Sequence, residues 1–340
     1  MKRQAHFIVT ALAAAGAVLT AAPATAQSSV TVYGLLDVFV QQGKGNATST
    51  KLESGVLSGS RVGFKGSEDL GGGLKAVFQL EHGLNADTGT LGQGGLMWGR
   101  QAYVGLEGGF GAVMLGRQNT PHYTFSDNND PMETGAGSAF NSGILSTIVR
   151  ANNAVKFETP SLSGIKFMAM QTAGEGVVGG KITSAQLEFS QGAFTLGGAL
   201  LQADTPEKRK FYVLAGTYNF NVAKVFVGAQ KVKNSTGAVG AQDDRKEFWA
   251  GVHVPVAPSG EVHVAYYDGK TDGVSGKHAS QWSAGYIHAL SKRTNLYAVY
   301  SAISNGNATA YSPDAATGGG VSVSNGVNAN VLQIGVRHKF

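Results

Sequence analysis

The sequence predicts an all-β chain, closed into a 16-stranded antiparallel transmembrane β-barrel. Three observations carry that prediction. About sixteen segments of roughly ten residues alternate apolar and polar side chains with a period of two. The polar connections between them alternate between short and long. After an N-terminal export signal, no further apolar run is long enough to cross a bilayer as a helix.

The export signal is read from the first residues. Lys2 and Arg3 form a basic start, an apolar run extends from Phe7 to Leu19, and Pro23-Ala24-Thr25-Ala26 supplies small residues for cleavage. The apolar run is short of the about 20 residues that a membrane anchor needs. Residues 1–26 are therefore expected to be a cleaved signal peptide, with Gln27 opening a barrel over 27–340.

Composition narrows the classes. Glycine is abundant (49) and proline sparse (8), but the aromatic and β-branched content is too high for a disordered chain. With no cysteine, disulfides, thiol chemistry and cysteine-ligated metals are excluded. The formal net charge of +5 falls to +3 once Lys2 and Arg3 are removed, and the remaining charges are scattered. That distribution argues against a nucleic-acid partner and fits a weakly cationic lumen.

The alternation is clearest at the C-terminus. Leu332, Ile334, Val336, His338 and Phe340 share one face, and Val331, Gln333, Gly335, Arg337 and Lys339 share the other. Val62 and Phe64 alternate with Arg61, Gly63 and Lys65. Phe248, Ala250, Val252 and Val254 alternate with Glu247, Trp249, Gly251 and His253. Segments are expected to begin near residues 29, 59, 73, 98, 112, 152, 164, 183, 193, 210, 223, 246, 261, 280, 294 and 330.

Short turns such as Asp69-Leu70-Gly71-Gly72 and Pro258-Ser259-Gly260 belong on the periplasmic side. The longer stretches 41–58, 83–97, 118–150, 172–182, 202–209, 234–245, 269–279 and 303–329 belong on the extracellular side. Hydrocarbon offers no hydrogen bonds, so the first and last segments must pair to close the sheet. Glycine and alanine cost strand propensity but permit curvature and close packing.

Several stretches together resemble a known family. SSVTVYGLLDVFV (28–40), SRVGFKGSEDLGGGLKAVFQLEHG (60–83), RQAYVGLEGGFGAVMLGRQNTP (100–121), RANNAVKFETPSLSGIKF (150–167) and IGVRHKF (334–340) are similar to the general trimeric porins of β-proteobacteria, the Neisseria, Bordetella and Burkholderia type. The resemblance implies a homotrimer of sixteen-stranded barrels, each with a third loop folded into its pore. It also implies a surround of outer-membrane lipid and lipopolysaccharide, and delivery by the barrel-assembly machinery. The implied cargo is small hydrophilic solutes and ions. Connection 118–150 matches the third loop by position and length. Its interior, DNNDPMETGAGSAF (127–140), departs from the acidic Pro-Glu-Phe-Gly-Gly motif of some members.

Such a channel does no covalent chemistry; it works by a narrow aqueous constriction with a transverse field. Candidate acidic residues on the loop are Asp127, Asp130 and Glu133. Candidate basic residues on the wall are Arg61, Lys65, Lys75, Arg100, Arg117, Arg150 and Lys156. Arg61, Lys65, Lys75 and Lys156 face inward by alternation. Arg100 and Arg117 share parity with lipid-facing neighbours, so Arg100 needs a strand end or a bulge to turn inward. Any one of these cations reads more readily as an ordinary solvated lumen or loop charge, and the set carries more than its members. Phe340 is expected to be an interface aromatic, and the resemblance makes it the C-terminal insertion signal.

No cofactor or metal is expected. Gly71-Gly72-Gly73-Leu74-Lys75-Ala76 opens a strand rather than a nucleotide-binding helix, and Gly269-Lys270-Thr271 lacks the upstream glycine of a phosphate loop. His253 and His263 fall on neighbouring strands and read as a chance pair. The functional expectation is a passive diffusion channel, weakly anion-selective. The alternatives are a substrate-specific channel on the same barrel, a barrel enzyme (for which no Ser/His or Asp/His constellation is found) and a surface adhesin or phage receptor.

Overall fold

A computed structural model of the chain describes residues 29–177, 179–205, 208–234 and 244–340. The expected signal peptide (1–26) lies outside these residues, as does most of the expected connection 234–245. The strands are β1 Ser29–Lys44, β2 Thr48–Ser54, β3 Arg61–Gly71, β4 Leu74–Asn85, β5 Thr90–Leu91, β6 Gln101–Gly108, β7 Gly111–Asn119, β8 Arg150–Glu158 and β9 Ile165–Thr172. They continue as β10 Ile182–Gln191, β11 Phe194–Ala203, β12 Lys210–Asn219, β13 Lys224–Lys233, β14 Arg245–Ala257, β15 Gly260–Thr271, β16 His278–Ala289, β17 Thr294–Asn305 and β18 Ala329–Lys339.

Sequential neighbours pair antiparallel, and β1 pairs with β18 from Leu35↔Lys339 to Lys44↔Asn330, which closes the sheet. Sixteen strands span among the described residues. The exceptions are β5, of two residues, and β2, which takes up the outer half of β1 (Val38↔Ser54) while β3 takes the inner half (Ser29↔Ser67). The stretch 41–58 is thus partly strand rather than a free connection. β1 continues to Lys44 because β2 folds back on it and satisfies its backbone groups.

Parity sets the two faces. On β18, Leu332, Ile334 and Val336 are exposed while Val331 and Gln333 are fully buried. On β12, Leu214 is 62% exposed between buried Val213 and Ala215. Val30, Val32, Val104, Leu115, Leu187, Val227 and Trp282 extend the exposed apolar belt around the barrel. A continuous apolar exterior of this kind is stable against lipid tails and aggregates in water. Replacing Leu214 with arginine is therefore expected to cost about 2–4 kcal/mol of barrel stability in bilayers. Equilibrium urea unfolding in lipid vesicles checks this; a cost below 0.5 kcal/mol would place Leu214 away from hydrocarbon.

The seam is finished by the last residue. Gly34 and Phe340 exchange backbone hydrogen bonds of 3.0 Å in both directions, and the Phe340 ring lies across Gly34 where any Cβ would collide with it.

Candidate functional site

The connection after β7 turns into the barrel instead of away from it. Thr120 caps a short helix, α1 (Pro121–Asn128), by accepting a hydrogen bond from Tyr123 N at 3.1 Å, and Pro121 supplies a fixed φ at its first turn. A second helix, α2 (Ala139–Ser142), is capped by Ser138 and ends at Gly143 in the left-handed conformation. Together they let the segment fold compactly across the lumen.

One side of the lumen is filled by this third loop. Phe125, Met132, Ile144 and Leu145 are buried against Phe39, Trp249, Tyr267 and Tyr297 of the wall. Polar groups fix the register of the packing. Trp249 Nε1 donates to Asn129 O at 2.8 Å, and Tyr267 OH donates to Asp130 Oδ1 at 2.6 Å. Gln281 Nε2 and Ser283 Oγ both donate to Gly137 O at 2.7 Å. Ser146 gives its N–H and hydroxyl to Glu247 at 2.9 and 2.8 Å, and Arg245 Nη2 donates to Ile144 O at 2.5 Å. Gly251 and Gly269 on the wall allow this approach, since a Cβ at either would strike Pro131 or Ile144.

The other side stays open. A cavity of about 1420 Å³ reaches from Asp87 and Thr88, in the long second connection, to Lys224 and Lys339 beside the short turns. A second cavity of about 600 Å³ lies among β3, β4, β6, β7 and β8, and Asn119 lines both.

Arg61, Arg100 and Arg150 line the larger cavity from the wall, and Asp127 and Glu133 line it from the loop. Arg100 sits just before β6, so it escapes the outward parity of Val104 and Leu106. Its Nε donates to Glu81 Oε1 at 2.7 Å, and Arg61 Nη1 lies 3.9 Å from the same oxygen. Tyr33 OH donates to the other Glu81 oxygen at 2.8 Å. The guanidiniums of Arg61 and Arg150 are each close enough to Arg100 to repel it. One carboxylate therefore partly balances a group of three cations.

Facing them, Asp127 accepts a hydrogen bond from Thr134 Oγ1, and Tyr123 OH lies 3.1 Å from that hydroxyl. Burial pushes the Asp127 carboxyl up to about 6, with Asp130 and Glu133 adding to the rise while Thr134 and Arg61 oppose it. Glu133 and Thr134 both hold positive φ, a costly conformation for a β-branched threonine. Asp130 Oδ2 pins it by accepting from Thr134 N at 2.7 Å.

The remaining expected site residues fall elsewhere. Lys65 and Lys156 line the smaller cavity, with Lys156 Nζ 2.8 Å from Glu158. Lys75 is exposed beside the turn between β3 and β4 and lines neither cavity. Arg117 keeps the outward parity of Leu115, with its guanidinium bridging Gly99 O at 2.8 Å and Asn152 Oδ1 at 2.6 Å. The bulge that realigns β7 lies between Gly116 and Gln118 and turns Gln118 inward instead. Asp130 is fully buried and shapes the loop rather than facing the cavity. Phe340 is at the barrel seam, remote from the loop.

Sequence reasoning missed Glu81, Tyr123 and Arg245. Glu81 was recoverable. It shares the inward face of β4 with Gln79, and the short β3–β4 turn sets Gly63 opposite Glu81, two residues from Arg61. No local signal marks Tyr123 or Arg245, whose roles depend on where the loop lands.

A family model described as Gram-negative porin matches residues 10–308. The chain is 32% identical to outer membrane porin protein 32 of Delftia acidovorans, over 97% of each chain. It is 28% identical to an outer membrane porin protein of Bordetella pertussis, over 97% of this chain and 99% of that one. Its structure matches the anion-selective porin from Comamonas acidovorans with a TM-score of 0.81 and 28% identity, covering 92% of this chain and 100% of the other.

Proposed function

Because the chain belongs to the Gram-negative porin family, we propose that it is a general outer-membrane diffusion channel for small hydrophilic solutes and ions, with a modest preference for anions. One observation carries the preference. The described lining of the larger cavity holds eight Lys and Arg side chains against four Asp and Glu. In a water-filled path with low-dielectric walls, such an excess raises the local anion concentration. The similar Comamonas porin is itself anion-selective, which supports the reading.

The proposal includes assembly as a homotrimer, export with cleavage after Ala26, and recognition of Phe340 by the barrel-assembly machinery. Family membership supports these steps. The exposed apolar belt supports a surround of outer-membrane lipid, with lipopolysaccharide in its outer leaflet. The channel acts by holding charges in place, so it needs no cofactor and performs no turnover.

The test is purified, folded protein in a planar bilayer under a potassium chloride gradient. Stepwise conductance with a reversal potential of anion-selective sign is expected. Folded protein that does not conduct would remove the channel reading, and a cation-selective sign would remove the preference.

The loop carboxylate adds a pH dependence. Asp127 is charged above about pH 6 and neutral below it. Lowering the pH from 7.5 to 5 removes one negative charge from the constriction, so the anion preference should rise about twofold. Reversal potentials across that range check this, and Asp127→Asn should flatten the rise.

A further inference from the structure

The lumen wall below the third loop carries a group that the channel reading does not use. His253 on β14 is paired directly with His263 on β15, and Glu261 lies two residues before His263 on the same strand. The strand period of two puts Glu261 and His263 on one face, and the antiparallel register adds His253 from across the pair. The two imidazoles are buried and stacked, with ring centroids 3.5 Å apart and planes 5° from parallel. His263 Nε2 lies 2.9 Å from Glu261 Oε2. One potential ligand atom from each of the three residues falls within 4.8 Å of the other two.

We propose that His253, His263 and Glu261 form a binding site for a divalent transition-metal ion, of the zinc or copper class, on the lumen wall.

The donor set suits that class: imidazole nitrogen favours zinc and copper over calcium or magnesium, and two histidines with one carboxylate leave a coordination position open. Bond lengths of about 2.1 Å space tetrahedral donors by about 3.4 Å, so the three groups need close by no more than about 1.4 Å. Rotation of the histidine rings and of the half-exposed Glu261 supplies that movement. Without metal, His253 Nε2 donates to Pro131 O at 2.6 Å, because a carbonyl only accepts. Coordination through Nε2 moves that proton to Nδ1 and exchanges the Pro131 contact for the metal bond. Glu133 of the third loop lines a small cavity with His263, so the ion's charge would sit beside a loop carboxylate.

The experiment is zinc titration of folded protein in detergent, with bound metal counted after dialysis. One zinc ion per chain with micromolar affinity is expected. His263→Ala and His253→Ala should each weaken binding at least tenfold, and Glu261→Gln by about tenfold. His288→Ala, on a different strand face, should leave it unchanged. Glu261 is solvent-reached, so its variant keeps the test open should a histidine variant fail to fold. In bilayers, micromolar zinc should change single-channel conductance reversibly on chelation, in the wild type and not in Glu261→Gln. Absence of saturable binding, or binding that survives in His263→Ala and Glu261→Gln, would overturn the site. Metal counting does not depend on conduction, so the channel reading and the metal site fail separately.

Discussion

A channel carrying Arg61→Ala, Arg100→Ala and Arg150→Ala together will reverse its ion preference. The three guanidiniums line one cavity opposite Asp127 and Glu133, with Glu81 between two of them. At about 5 Å in water, a unit charge changes the energy of a passing ion by about 0.8 kcal/mol, roughly fourfold in local concentration. Three such charges give about sixtyfold before salt screening, which is incomplete because the Debye length of about 10 Å at 0.1 M exceeds these separations. Removal also frees Glu81 to act on permeating cations. The anion-to-cation permeability ratio should fall more than tenfold and the reversal potential change sign. Arg117→Ala and Lys75→Ala, whose side chains line neither cavity, are the controls and should shift the ratio by less than twofold. A triple variant that remains anion-selective would move the filter to the cations nearer the short turns.

The sequence carried the barrel well because period two is a property of each strand alone. The expected starts near 29, 73, 164, 210, 294 and 330 fall within one residue of β1, β4, β9, β12, β17 and β18. Lipid and water demand opposite side chains, so parity is written at every position. Arg100 and Arg117 show where that signal stops. Both break the parity rule in the sequence, yet one turns inward from a strand end and the other stays outside, against Asn152. A bulge or a strand end is decided by backbone geometry over a few residues, which alternation does not encode. The third loop was legible as a long connection, and its chemistry was not. Asp130 reads as a pore carboxylate until Tyr267, distant in sequence, is seen to hold it. The apolar residues Phe125, Met132, Ile144 and Leu145 carry no period at all; their burial depends on a wall made by strands distant in sequence, most of which follow the loop.

That wall makes the second large effect. Trp249 is fully buried, its ring covers Gly228, it packs edge-on against Phe140, and its Nε1 holds Asn129 O. Trp249→Ala removes about 3–5 kcal/mol of packing from the loop's seat. Tyr267→Phe in the same chain leaves the buried Asp130 carboxylate short of a donor, which adds about 1–3 kcal/mol. Backbone pairing of β14 with β13 and β15 does not involve either side chain, so the barrel should persist while the loop detaches. The double variant should show roughly double the single-channel conductance, because flow scales with open cross-section. Limited proteolysis should cut the variant between residues 127 and 145 while sparing the wild type. A variant with wild-type conductance and an uncut loop would show that Gln281, Ser283 and Glu247 suffice to hold it. The same energetics explain why a water-filled channel buries so much apolar surface inside itself. A loop held by hydrogen bonds alone would exchange them for water at little cost, whereas a loop seated on Trp249 and its neighbours must expose them to move.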